Sequence, residues 1–260
     1  MDLFNNEHQS HEHSLETLHL INRYEDFMDS ISSVADMGCG VGADITWWAT
    51  AEYIEITEDT NGNVYETVRK RNYKCYAVDK NTSAIDKENL PSNVNVISSD
   101  FERRSLPIPV DMIWCHNSFQ YAINPLSTLR LWNEQMNENG MLYICIPYQS
   151  TYQNNRLVLR SNSFNYYNHN FLSMVYMLAV NGFDCCDAYF LKRKENPWLH
   201  MAVYKSHHAP MDPAQTSWYD LAEKNLINDS MKNSLHKYGY VRQEDILYAW
   251  LDKDFHYVED

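Results

Sequence analysis

Glycine is scarce in this chain, seven residues in 260, yet three of the seven fall in the pentapeptide Gly38-Cys39-Gly40-Val41-Gly42. Basic residues are also few: 21 Lys and Arg against 35 Asp and Glu, a formal net charge of −14. A chain of that sign repels phosphate backbones at long range, which argues against DNA or RNA as a partner. The basic clusters at 69–71 and 192–194 read as solvated helix ends or loops. No apolar run approaches the ~18–20 residues that a membrane span needs. Residues 1–13 are polar and acidic, without the apolar core of a signal peptide. The six cysteines form no C-x-x-C pair, and Cys185-Cys186 is vicinal, so a reducing cytoplasm is the expected location. His8, His11 and His13 lack a further ligand at fixed spacing and read as tail residues, so no metal site is expected.

What is present suits a folded domain. Hydrophobic residues make up 44% of the chain, enough for a sizeable core. Residues 1–32 read as a polar tail followed by helices at 14–31. A buried strand at 33–37 precedes the glycines, and a helix is expected at 43–53. Trp47 and Trp48 on that helix point about 100° apart and cannot both face a sheet. Residues 52–66 hold β-prone segments around Asn61-Gly62, so a hairpin or a long loop is expected there. Further strands are expected at 74–79, 94–101, 110–116, 141–147, 183–190 and 199–204. Helices are expected at 83–89, 126–137 and 169–180, the last stopped by Asn181-Gly182. Residues 148–167 form a polar segment, and 192–197 a turn. Beyond His208, polar helical runs at 213–228, 230–238 and 243–251 form a C-terminal extension, 209–260.

A strand that ends in a glycine-rich turn and opens a helix is a nucleotide-cradling device. Glycine lets the backbone bend sharply and approach a ligand, and the helix offers unpaired N–H groups. Gly38, Gly40 and Ala43 satisfy the dinucleotide pattern G-x-G-x-x-G/A. Asp36, Gly38, Gly40 and Gly42 satisfy the pattern acid-x-G-x-G-x-G. A carboxylate at the strand end would repel a pyrophosphate and favours a cationic ligand. On these residues the chain resembles the class I S-adenosylmethionine-dependent methyltransferases. The strand–helix order after them, ending in a hairpin at 183–204, is similar to that family too.

The resemblance implies an α/β fold over residues 33–208: a seven-stranded, mostly parallel, doubly wound sheet, flanked by N-terminal helices and a helical extension. It implies S-adenosylmethionine as cofactor and S-adenosylhomocysteine as product. Cofactor contacts are expected from Asp36, Gly38, Cys39, Gly40, Gly42, Lys80, His116 and Phe101. Asp79 suits the ribose hydroxyls and Asp100 the adenine amino group, with Phe101 flanking the ring. Asn117-Ser118-Phe119-Gln120 replaces the [DNS]-P-P-[YF] motif of base-methylating relatives, which weakens that acceptor class. His116 and Tyr121 are the candidate catalytic residues, His116 as a general base. A small-molecule acceptor is expected, with no membrane partner; the oligomeric state is left open, a dimer among the options. An RNA or protein methyltransferase, a nicotinamide-dependent oxidoreductase and a non-catalytic cofactor-binding protein stay open as alternatives.

Overall fold

The computed structural model describes residues 24–58, 60, 62–147, 169–192 and 198–241. Seven strands form one sheet: β1 (Ser33–Met37), β4 (Lys74–Asp79), β5 (Val94–Ser98), β6 (Val110–His116), β7 (Met136–Pro147), β8 (Phe183–Lys192) and β9 (Trp198–Lys205). Their order is β5-β4-β1-β6-β7-β9-β8. β1 pairs parallel to both β4 and β6, and β9 is antiparallel to β7 and β8. One reversed strand near the edge of an otherwise parallel sheet is the expected architecture. β2 (Glu52–Glu58) and β3 (Val64–Lys70) form a separate two-stranded hairpin between β1 and β4.

The central strands are buried on both faces, as strands of parallel sheets are, so most residues of β1 and β6 are apolar. One face packs on α1 (Tyr24–Ser30) and α2 (Ala43–Thr50) through Val34, Ala77, Met112, Trp114 and Tyr143. The other packs on α3 (Pro125–Glu134), α4 (Phe171–Val180), α5 (Trp218–Glu223) and α6 (Asp229–Tyr238), through Ala35, Val78, Ile113, Ile144 and Leu199. Residues 209–241 therefore pack back on the sheet: Leu221, Ile227, Met231 and Leu235 join this core, and Cys185 N–H donates to Leu226 O.

Several helix ends differ from the sequence reading. α2 stops at Thr50, because Glu52-Tyr53-Ile54-Glu55-Ile56-Thr57, with its aromatic and β-branched Tyr53, Ile54, Ile56 and Thr57, pairs in register with β3. The expected helix at 83–89 is one 3-10 turn, Thr82–Ala84, capped by the Asn81 side chain, with Asp86 capping a further turn. α3 starts at Pro125 behind an Asn124 cap and stops at Glu134, and β7 starts at Met136 rather than 141. Gly140 lies within β7, at the register shift opposite 110–112, where a Cβ would meet Asp111 O at 2.9 Å. Only 218–223 of the 213–228 run is helical. Of the expected N-terminal helices, 24–30 is described; His8, His11, His13, the segment 148–167, most of the turn 192–197 and the run 243–251 lie outside the described residues.

Candidate functional site

The loop after β1 takes its shape from three left-handed residues, Gly38 (φ 82°), Gly40 (φ 53°) and Gly42 (φ 84°). Each position is strained for any residue with a Cβ. Their surroundings differ. A Cβ on Gly38 would lie 2.4 Å from Ser118 Cβ, whereas one on Gly40 meets nothing within 4 Å. Gly38 is thus required by the protein's own packing, and Gly40 opens onto space. Ser118 stitches the β6 loop to this one, its hydroxyl donating to Gly38 O at 2.9 Å. Gly38 N–H and Cys39 N–H donate to Val78 O, at 2.8 and 3.1 Å.

Two carboxylates bracket the loop. Asp79, at the end of β4, accepts Gly40 N–H at 3.0 Å and Asn81 N–H at 2.8 Å, one on each oxygen. Each oxygen keeps a second lone pair for a hydroxyl. Asp36, at 2% exposure, lies beneath the loop, and its Oδ2 finds no donor among the described residues. Burial pushes Asp36 well above the usual carboxylate range, and the carboxylates of Asp44 and Asp79 add to it. The site therefore favours a positive group beside Asp36. Burial and these acids also push the Cys39 thiol up, so Cys39 is no thiolate nucleophile.

The remaining expected residues lie at or just after the C-terminal ends of β4, β5 and β6. Lys80 is exposed beside Asp79. Asp100 is half-buried and accepts Glu102 N–H at 3.0 Å. The Phe101 ring lies 5.9 Å from that of Trp132 and 3.7 Å from where a Gly38 Cβ would stand. His116 ends β6, with its ring 6.3 Å from Trp198. Tyr121 is 41% exposed on the turn after Ser118. Asp44 was not legible from sequence. It sits in the first turn of α2, where acids are common for helix-dipole reasons alone. Trp114, which reads as core, donates from Nε1 to Asp44 Oδ2 at 2.6 Å, and the same oxygen lies 3.5 Å from His116 Nδ1.

No protein-family model matches the sequence, and no curated protein does either. Solved structures do match. Magnesium protoporphyrin IX methyltransferase from Synechocystis PCC 6803 with bound SAH matches at TM-score 0.53 and 12% identity, over 79% of this chain and 89% of that one. A chain of the Haloferax volcanii complex between the Trm112 methyltransferase activator and a methyltransferase matches at TM-score 0.52 and 14% identity, over 70% and 88%. The Burkholderia thailandensis 1,6-didemethyltoxoflavin-N1-methyltransferase with 1,6-didemethyltoxoflavin and S-adenosylhomocysteine bound matches at TM-score 0.51 and 13% identity, over 79% and 81%. With the strand order and the glycine loop in place, these matches identify the fold of this chain as that of the class I S-adenosylmethionine-dependent methyltransferases.

Proposed function

We propose that the protein is an S-adenosylmethionine-dependent methyltransferase acting on a small molecule. The observation that carries this reading is the buried, undonated carboxylate oxygen of Asp36 beneath a three-glycine left-handed loop. A pyrophosphate in that loop would face Asp36, Asp44 and Asp79, three carboxylates with which it would share one sign of charge. A ligand with an ammonium group and no phosphate meets the opposite situation. The dinucleotide reading is disfavoured for that reason.

Asp36 would take the cationic amino end of the cofactor, Gly38, Cys39, Gly40 and Gly42 its close backbone approach, and Asp79 with Lys80 the ribose side. Asp100 and Phe101 would take the adenine, and His116 would lie on the acceptor side. When bound, the cofactor supplies an electrophilic methyl group. The chain's own residues hold the reactants in line and exclude water, which is most of what such a reaction needs. The overall charge of −14 supports an acceptor without a polyphosphate backbone. No helix among the described residues is long and apolar enough to cross a membrane.

Titration calorimetry with S-adenosylhomocysteine and with NAD tests the reading. Saturable binding of the first and none of the second is expected. NAD binding without S-adenosylhomocysteine binding would refute it. A salt-dependent affinity for RNA would move the acceptor away from small molecules.

A further inference from the structure

The Asp44 carboxylate is held more firmly than a rim carboxylate needs to be. The Trp114 indole donates to Oδ2 at 2.6 Å, and that indole is itself fixed. It stacks on Tyr143 with ring centroids 4.1 Å apart, and meets Trp48 edge-on at 5.6 Å. Asp44 and His116 side chains are each only 12% exposed. His116 is pinned at its backbone as well, through pairing with Cys145 and through its carbonyl, which accepts from Ser118 Oγ at 3.2 Å. With the carboxylate oxygen fixed and 3.5 Å from His116 Nδ1, a small rotation of the imidazole completes a hydrogen bond between them.

We propose that Asp44 is the positioning residue for His116, fixing its Nδ1–H tautomer so that Nε2 serves as general base toward an acceptor with a dissociable O–H. This rests on the methyltransferase reading. The carboxylate beside Nδ1 makes that nitrogen the donor and leaves the lone pair on Nε2. The proton leaves the acceptor oxygen for Nε2, the imidazolium so formed is opposed by the Asp44 carboxylate across the ring, and the proton then passes to solvent. Trp114 holds Asp44 in place, so the arrangement reaches from the sheet core through an acid to a base at the end of β6. Acceptors that need no deprotonation would gain nothing from it.

Full-length protein with 15N-labelled histidine tests this without an identified acceptor. Two-bond proton–nitrogen spectra distinguish the two neutral tautomers. His116, assigned by loss of its signals in His116→Gln, is expected as the Nδ1–H form in the unaltered protein, with and without S-adenosylhomocysteine. Asp44→Ala is expected to shift it toward the Nε2–H form. Trp114→Phe, which keeps the carboxylate, is expected to leave Nδ1–H in the majority. An Nε2–H tautomer in the unaltered protein overturns the proposal whether or not the variants fold. A tautomer that Asp44→Ala leaves unchanged overturns it too, as does methyl transfer found only on acceptors without a dissociable O–H. Failure of S-adenosylhomocysteine to bind the unaltered protein would instead strike the methyltransferase reading, and leaves the tautomer result standing.

Discussion

Gly38→Ala and Gly40→Ala make the same chemical change two residues apart, in the same left-handed region, and should differ sharply in cost. Both introduce a Cβ at positive φ, which costs about 1–2 kcal/mol. At Gly40 that is the whole cost, since nothing lies within 4 Å. At Gly38 the new methyl would stand 2.4 Å from both Ser118 Cβ and Ser118 Oγ. Overpacking of this kind adds about 1–3 kcal/mol, so Gly38→Ala should lose about 2–5 kcal/mol in total. Ser118→Gly removes the obstructing atoms, though it also removes the hydroxyl bonds to Gly38 O and His116 O. In a double-mutant cycle the Gly38→Ala/Ser118→Gly pair should be less destabilised than the sum of the singles by about 1–3 kcal/mol. Urea unfolding of the four proteins at one pH measures all of these terms. The binding order should be different: Gly40→Ala, cheap for the fold, should weaken S-adenosylhomocysteine at least about tenfold by filling the open side of the loop. Equal stability losses at the two glycines, or no coupling to Ser118, would refute the assignment of Gly38 to internal packing.

Three further outcomes follow from the geometry. Asp36 is raised above its ordinary 3.8, so the folded state holds that proton more tightly than the unfolded chain, and stability should fall as pH rises above about 4. Asp36→Asn should flatten that slope in urea midpoints while abolishing S-adenosylhomocysteine binding; an unchanged slope would count against a strained buried acid. Burial lowers His169 from 6.5 to about 4, so there the unfolded chain takes the proton first, and its contribution should be lost as pH falls from about 6.5 toward 4. His169→Gln minus unaltered protein isolates this opposite trend. The β2–β3 hairpin leaves Ile54, Ile56, Val64 and Val68 at least 60% exposed, and Arg71 N–H donates to Ala51 O at its base. Replacing 52–70 with a short glycine link should therefore change stability by no more than about 1 kcal/mol, the order of the lost Arg71–Tyr53 ring contact; a thermal shift above about 10 °C would show that the hairpin supports the core.

The parts of this molecule that were legible in sequence are those where backbone demand and residue type coincide. β1, β4 and β6 are mostly apolar because both their faces are covered. The three glycines mark left-handed backbone directly. Asp79 could be placed beside the loop because a strand end fixes where its side chain starts. Helix ends were less legible. Met136 and Gly140 look like a helix tail and a turn, yet the register of β7 against β6 draws both into a strand. The Asp44–Trp114–His116 arrangement was invisible for another reason: Asp44 lies 70 residues from Trp114 in sequence, and each member has an ordinary local explanation. Trp114 reads as core, Asp44 as a helix-dipole acid, and only their contact shows that one oxygen serves both indole and imidazole.

That contrast bears on how a fold can persist at 12–14% identity over some 70–79% of the chain. The loop after β1 is held by backbone donors to Val78 O, by a Ser118 hydroxyl on a backbone carbonyl, and by Asp79 on Gly40 N–H. Such contacts constrain few side chains, so most positions can drift while the cradle survives. The carboxylate beneath the cradle is different, because burying Asp36 with Oδ2 undonated costs stability in the empty protein, even with the Ile45 backbone N–H donating to the group. A cationic group bound beside Asp36 would offset that cost by favouring the ionised form. A cationic ligand at this rim is therefore favoured by the grouped carboxyls of Asp36, Asp44 and Asp79 more than by the glycines beside them.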